Sequence, residues 1–383
     1  NNHTIYVNNS SVASGTFSGG SGGLNTATTS YRFGFSTISA YFSGYMAEII
    51  FVDGQALTPS SFAKTDTTTE IWVPKKYTGT FGNNGYYLSF ANDTSTTTLG
   101  YDDAGGDAGS GAGSNDFTLT NFSVTAGSGN DNLSDTPTNN YPTFDTLYVK
   151  TAYTATVTNG RLGISAGRDT KRRCNFAIPT SGKWYFEFDQ SSSNSDTQFG
   201  LETETATASF YNQSTTTYIR KSSTGTFTPT ALSLGQGIWQ IAYDVDNDKI
   251  WFGFNNSWIN SGDPSAGTGA SNAIAGNTFS MNGYGIWFPF IENSSPSGSP
   301  TTTIGSINFG QRDFAYIPPT GFKAINTQNM PTPLISKGSQ YMNVVTWTGT
   351  GNTDTAKCPQ ERPRVSCLSL LRPARDGQDL DRA

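Results

Sequence analysis

The pattern of apolar and polar residues predicts short β-strands along most of the chain. In these segments apolar side chains alternate with polar ones, or aromatic and β-branched residues lie between clusters of Gly, Asn, Asp and Ser. Two of the segments flank the polar run Asp246–Asp248, which predicts a hairpin turn. A short helical turn is expected at Leu57–Phe62, with Thr58 as N-cap and Pro59 next. The best-defined strand segments are His3–Val7, Tyr31–Phe35, Tyr41–Val52, Ser181–Phe188, Trp239–Val245, Lys249–Asn255 and Thr303–Gly310.

Composition supports an all-β protein and excludes several classes of function. Of the 383 residues, only 14% are charged and 13% are aromatic, which argues against intrinsic disorder. The net charge of −6 provides no basic surface for nucleic acid. No apolar run approaches the roughly 20 residues that span a bilayer, so no membrane insertion is expected. The one histidine, His3, nearly excludes a Ser-His-Asp triad and a multi-histidine metal site. We expect no cofactor and assign no metal ligand.

Residues 1–92 resemble part of a laminin-G/concanavalin-like jelly roll. The match lies in Gly44–Phe62, which reads GYMAEIIFVDGQALTPSSF and corresponds to a late core strand followed by a short helix. The resemblance implies a partial β-sandwich, because a complete domain of this kind has several earlier strands. Such domains often bind calcium, but no ligand set is identified here.

Residues 141–335 resemble the B30.2/SPRY β-sandwich. Three motifs carry the resemblance, in the order that the family shows: GKWYFE from Gly182, the hairpin Trp239–Asn255, and NFGQRDFAY from Asn308. The resemblance implies a second antiparallel, jelly-roll-like β-sandwich.

The remaining segments differ in composition from these two domains. Residues 93–140 are expected to be a Gly/Ser/Asn-rich linker with one strand at Phe117–Val124. Residues 336–356 are expected to begin a further β segment. Residues 357–383 carry 6 basic and 4 acidic residues, so 10 of these 27 are charged, and this tail is expected to be disordered.

A ligand site is predicted in the variable part of the SPRY-like segment. Phe210–Lys221 is expected to be a loop, and aromatic rings stack on pyranose faces while amides and cations bind hydroxyls and anionic groups. Trp258 follows the central hairpin and either folds back or stays exposed. Four other tryptophans lie in strand patterns and are expected in the core: Trp184, Trp239, Trp251 and Trp287. The predicted ligand-binding residues are Tyr211, Asn212, Tyr218, Arg220, Lys221 and Trp258.

Three other groups of residues offer weaker signals for chemistry. Glu202 and Glu204 are spaced to share a strand face, as acid and base residues do in glycoside hydrolysis, but surface carboxylates often have this spacing. The acidic runs Asp102–Asp107 and Asp244–Asp248 match no calcium loop. The basic cluster of Arg168, Lys171, Arg172 and Arg173 is either an anion-binding surface or, as we expect, a solvated loop.

The order of segments resembles structural proteins of tailed bacteriophages, particularly marine and cyanophage-like ones. This resemblance implies a non-enzymatic virion protein, in a tail fibre or appendage outside the cell, that presents loops to a bacterial surface glycan or a neighbouring virion protein. A homo-oligomer is expected. One alternative is a carbohydrate-active enzyme with a concanavalin-like sandwich, although its E-x-D-x-x-E motif does not occur here. The other is a peptide-binding SPRY adaptor.

Overall fold

The computed structural model describes most of the chain before residue 332. The described residues are 2–16, 32–34, 42, 44–67, 71–104, 116–134, 139–148, 155–167, 169–192, 197–206, 209–213, 219–221, 225–227, 235–274, 277–294 and 302–331. All of them belong to one compact unit, Asn1–Thr332. The expected segments 336–356 and 357–383 lie outside the described residues.

Nearly all regular structure in the described residues is β. The strands are β1 (Asn2–Val7), β2 (Ser10–Thr16), β3 (Ile49–Phe51), β4 (Ala63–Thr65), β5 (Trp72–Pro74), β6 (Tyr86–Leu88), β7 (Ala155–Thr158), β8 (Gly163–Ala166), β9 (Thr170–Arg173), β10 (Lys183–Gln190), β11 (Thr197–Thr203), β12 (Ser209–Gln213), β13 (Ile219–Lys221), β14 (Gly225–Phe227), β15 (Gly237–Asp244), β16 (Lys249–Phe254), β17 (Ser257–Trp258), β18 (Ala273–Ile274), β19 (Asn277–Thr278), β20 (Trp287–Asn293), β21 (Thr303–Asn308) and β22 (Lys323–Ala324). The helical segments are α1 (Thr96–Leu99) and 3-10 turns at Pro59–Ser61, Asn159–Arg161 and Ile259–Ser261. Within this part of the chain, no helix has the length and apolarity needed to cross a membrane.

Two antiparallel sheets form the sandwich. The eight-stranded sheet has the order β17-β16-β15-β10-β21-β8-β7, and β22 pairs in parallel with the start of β10. The six-stranded sheet has the order β14-β13-β12-β11-β20-β9. This architecture confirms the predicted all-β class and the predicted hairpin, since β15 and β16 pair from Trp239–Phe254 to Asp244–Lys249.

The core lies between the two sheets and is dense in aromatic rings. Strand β10 reads KWYFEFDQ, and its alternation directs Trp184, Phe186 and Phe188 into this core. Phe186 stacks on Phe309 and meets Phe199 of the six-stranded sheet edge to face, with ring centroids 5.1 and 5.7 Å apart. The four tryptophans expected in the core are all buried, and three of them lie between the sheets as predicted: Trp184, Trp239 and Trp287. Trp251 is buried in a different cluster.

The outer face of the eight-stranded sheet is buried as well. Tyr185 lies in a second apolar cluster with Trp251 and Phe322, and its hydroxyl donates to Glu187 Oε1 at 2.7 Å. The Glu187 carboxylate also accepts the backbone N–H groups of Ala315 and Tyr316 at 2.9 and 3.0 Å. Burial raises the pKa of Glu187 despite these three hydrogen bonds. The loop that follows β21 therefore covers this face and is fastened to it by a buried carboxylate.

The chain before the sandwich is less regular than predicted. The described part of residues 1–92 forms small ladders, β1–β2, β3–β6 and β4–β5. In the described part of the strand expected at Tyr41–Val52, only β3 forms. Of the strand expected at Tyr31–Phe35, residues 32–34 are described and form no strand. The short helical turn is present, with Thr58 at the N-cap and Pro59 in its first turn, although the Thr58 side chain makes no capping hydrogen bond.

The segment expected to be a linker lies against the sandwich. The strand predicted at Phe117–Val124 does not form, and the backbone of this stretch pairs with no neighbouring strand. The following residues bond instead to the loop after β21: Gly127 N–H donates to the Asp313 carbonyl at 2.8 Å, and Ser134 N–H donates to the Gln311 carbonyl at 2.7 Å. Arg312 donates to the Ser128 carbonyl at 2.6 Å. These bonds connect residues far apart in sequence, so local composition did not reveal them.

We predict that Trp184→Ala lowers the free energy of unfolding by about 3–5 kcal/mol, because it empties a large buried volume between the sheets. Urea denaturation followed by tryptophan fluorescence measures this loss. Ile317→Ala is the matched control, since Ile317 is 92% exposed and its truncation is expected to change stability by no more than about 0.5 kcal/mol. Equal effects of the two substitutions would show that Trp184 does not contribute to the core as described.

Candidate functional site

The described parts of the predicted ligand segment Phe210–Lys221, residues 210–213 and 219–221, lie in strands β12 and β13 rather than in a loop. Strands β12 and β13 pair so that Tyr211 lies opposite Arg220, Phe210 opposite Lys221, and Asn212 opposite Ile219. Strand β14 pairs with β13 at the edge of the six-stranded sheet. The loop was expected because this segment lies in the variable part of the SPRY-like region, but its threonines are β-branched and also favour strands. Tyr218 lies outside the described residues.

Tyr211 lies on the outer face of the six-stranded sheet and is mostly covered. Its exposed fraction is 8%, and its ring meets Phe290 edge to face with centroids 5.9 Å apart. Gly200 lies opposite it on β11, and a Cβ at that glycine would approach the Tyr211 Cβ to 2.6 Å. The ring is therefore held against its neighbours, and it presents only a small surface at the β12–β14 edge.

Trp258 is separated from the other predicted residues. It lies in β17 on the eight-stranded sheet, is half-buried, and packs against the cluster that contains Trp251. The reversal at Asn255 and Asn256, which both have positive φ, returns the chain onto its own sheet. Gly253 lies opposite Trp258 and leaves space for its ring, since a Cβ there would come within 3.0 Å of it. The structure thus places Trp258 and Tyr211 on different sheets.

A buried ion triad joins three strands of the six-stranded sheet. Lys171 Nζ lies 3.0 Å from Glu202 Oε2 and 2.9 Å from Glu292 Oε2. It also lies 4.6 Å from the centroid of the Phe290 ring. Burial by itself lowers the pKa of Lys171, but the two carboxylates outweigh it and raise the pKa above the ordinary lysine value. The triad crosslinks β9, β11 and β20.

The basic cluster is therefore not a solvated loop. Lys171 and Arg172 are both buried in strand β9, and Arg168 lies outside the described residues. The Arg173 guanidinium lies between the rings of Tyr148 and Phe288, at 4.1 and 4.2 Å from their centroids. The expectation of a loop failed because these cations are balanced by partners distant in sequence.

The carboxylates suggested as an acid–base pair do not come together. Glu202 is fully buried in the ion triad, whereas Glu204 is exposed beyond the end of β11. Residues Asp244–Asp248 instead organise the hairpin. Burial by itself raises the pKa of Asp244, but hydrogen bonds from Asn247 and Lys183 outweigh it and lower the pKa. In the described ranges, no three His, Cys, Asp or Glu side chains gather to hold a metal ion.

An open pocket that sequence reasoning missed lies at the start of β10. Its volume is about 400 Å³, and it is lined by Ser181–Trp184, Gly321, Lys323 and Asn329–Pro331. Lys183 is engaged there by Asp244, with Nζ 3.1 Å from Oδ2. The pocket forms because parallel β22 pairs with only the first residues of β10, which no strand pattern in the sequence indicated.

Two solved structures are similar to the chain at low sequence identity. No family model matches the sequence, and no curated protein matches it. The SPRY domain of human HERC1 is 16% identical with a TM-score of 0.31, over 43% of this chain and 96% of that one. The stonustoxin structure is 12% identical with a TM-score of 0.29, over 44% of this chain and 27% of that one.

We predict that Lys171→Met lowers the free energy of unfolding by about 3–5 kcal/mol at neutral pH, because it leaves two neighbouring carboxylates without their cation. Adding Glu202→Gln should recover part of the loss. Because the folded pKa of Lys171 is raised, its contribution is present below the ordinary lysine pKa and disappears as pH rises through the folded value. Urea denaturation at several pH values measures this. Lys64→Met, at an exposed lysine, is the control, and equal effects would contradict the triad.

Proposed function

We propose that the chain is a non-enzymatic binding protein whose sandwich presents a recognition surface at the β12–β14 edge of the six-stranded sheet. The observation that carries this proposal is the register of β12 and β13, which brings Tyr211 and Arg220 opposite each other and Lys221 next to them. Four of the six predicted ligand residues therefore belong to one hairpin, while the frame behind it is closed and rigid. A rigid sandwich with recognition residues at its periphery is a common arrangement for binding.

The residue types at this edge favour a surface glycan with acidic groups. Arg220 brings a positive charge opposite Tyr211, whose ring contributes a small apolar surface, and Asn212 and Lys221 add an amide and a second cation to the same hairpin. The protein as a whole carries a net charge of −6, so a cation such as Arg220 would direct an anionic ligand to this edge. The same residues would also suit a neighbouring virion protein that has an acidic surface.

We also propose that the protein is a component of the virion of a tailed bacteriophage. There it would form a homo-oligomeric fibre or appendage outside the cell. What supports this is the order of segments in the sequence: a laminin-G-like part, a Gly/Ser/Asn-rich stretch and a SPRY-like part. Antibodies against residues 141–335 should decorate purified particles in electron micrographs. Particles that carry no label and lack the peptide in mass spectra would remove the viral assignment.

We predict that Arg220→Ser with Lys221→Ser weakens binding to anionic bacterial polysaccharide by about three- to tenfold at low salt, as expected for the loss of ionic contacts with the ligand. Wild-type binding should also weaken with rising salt, and binding by the variant should depend less on salt. Surface plasmon resonance on immobilised polysaccharide measures both effects.

The matched control is Lys75→Ser with Lys76→Ser, which removes two adjacent exposed cations elsewhere. The proposed surface would be wrong if only the control variant lost binding, or if neither variant lost any binding. Binding to a peptide array but to no polysaccharide would favour the adaptor alternative, and release of reducing sugars would favour an enzyme.

A further inference from the structure

The loop between β19 and β20 presents apolar side chains to solvent at one end of the sandwich. Tyr284 is 42% exposed and Ile286 is 46% exposed, although the residues at either end of this loop, Phe279 and Trp287, are buried. Neither exposed residue stands out in the sequence, because MNGYGI has no strand period and reads as an ordinary turn. The proposed function does not use this loop.

The loop is held firmly at both ends. The Asp248 carboxylate accepts the Ser280 hydroxyl at 2.6 Å and the Met281 N–H at 3.1 and 3.2 Å. Trp287 Nε1 donates to the Met281 carbonyl at 3.0 Å. At the other end, Glu204 N–H donates to the Ile286 carbonyl at 2.9 Å. These bonds leave the segment between Met281 and Ile286 little freedom, so its exposed residues are preorganised.

The Tyr284 ring is supported from behind by buried aromatic rings. Its centroid lies 5.4 Å from that of Phe279 and 6.3 Å from that of Trp287. Phe279 in turn stacks on Phe210 of the core, with centroids 5.4 Å apart and planes inclined by 24°. The orientation of the exposed ring is therefore fixed by the core, as a stacking surface requires.

Tyr284 lies between two glycines in the chain. Gly283 and Gly285 flank it with φ of +90° and +98°, and a Cβ at either position would meet no atom within 4 Å. Any other residue would be strained at these angles and would also fill this space. Two exposed polar residues belong to this part of the surface: Asn282 lies in the loop, and the backbone N–H of Glu204 bonds to it. Their amide and carboxylate groups are types that hydrogen-bond hydroxyl groups.

We infer that the loop Met281–Ile286 is a second ligand site, which binds a neutral hexopyranose unit by stacking on Tyr284. A partly exposed ring that is backed by buried rings suits the apolar face of a sugar, and an amide and a carboxylate suit its hydroxyls. An acidic sugar would be repelled by Glu204, so the ligand differs in charge from the one proposed for the β12–β14 edge. The inference rests on the proposed function only in taking a glycan as ligand.

The test is a titration of the full chain with neutral pentasaccharides: maltopentaose, laminaripentaose, cellopentaose and a galactan pentasaccharide. Binding is measured by tryptophan fluorescence and by calorimetry. At least one should bind, with an affinity that is unchanged between about 0.05 M and about 0.5 M NaCl, because stacking and neutral hydrogen bonds are not screened. Tyr284→Ala should lower that affinity about tenfold, and Tyr284→Phe, which keeps the ring, by no more than about twofold.

Tyr6→Ala is the matched control, since Tyr6 is 45% exposed in β1, and its affinity should equal that of the wild type. The midpoint of urea denaturation establishes whether each variant folds. If the Tyr284→Ala variant does not fold, the Tyr284→Phe variant tests the contribution of the ring. No binding of any neutral pentasaccharide, or equal affinity in the Tyr284→Ala variant, would overturn the inference. Substitution of Arg220 and Lys221 should leave this binding intact, so failure here and failure at the β12–β14 edge are distinguishable.

Discussion

Strand β10 is buried on both faces and paired along both edges, and the rest of the sandwich is arranged to satisfy that constraint. One edge pairs with β15 over its whole length, and the other is shared by β21 and the short parallel strand β22. Phe186 faces the opposing sheet, whereas Glu187 faces a covering loop that must supply backbone donors to its carboxylate. A buried strand can leave none of its polar groups unpaired without a cost of several kcal/mol, so these partners are obligatory.

The two sheets cover their outer faces by different means. On the eight-stranded sheet, the loop after β21 closes over Tyr185 and Trp251, and residues Gly127–Ser134 close over that loop. On the six-stranded sheet, the Lys171 triad and the stacked Arg173 take this role. An ion triad of this kind need not stabilise more than an apolar core would, but it requires one specific alignment of three strands.

This construction leaves the periphery for recognition. The β12–β14 edge and the loop Met281–Ile286 both lie where the sandwich ends, yet both are anchored to the core through Phe210, which neighbours Tyr211 and stacks on Phe279. The two surfaces differ in charge, with cations at the edge and a carboxylate beside the loop.

The sequence by itself determined the all-β class, the β10 and β15–β16 strands and the buried tryptophans, because period-two alternation reports which face of a strand is apolar. It did not determine what lies opposite each face. Lys171 is 31 residues from Glu202 and still further from Glu292, so its cluster resembled a solvated loop until the sheet order placed carboxylates beside it. The segment Phe210–Lys221 also resembled a loop, because the sequence does not show that β12 pairs with β11. The exposure of Tyr284 and the rings that support it are evident only from the fold. Both depend on residues contributed by other strands, and local periodicity carries no information about those residues.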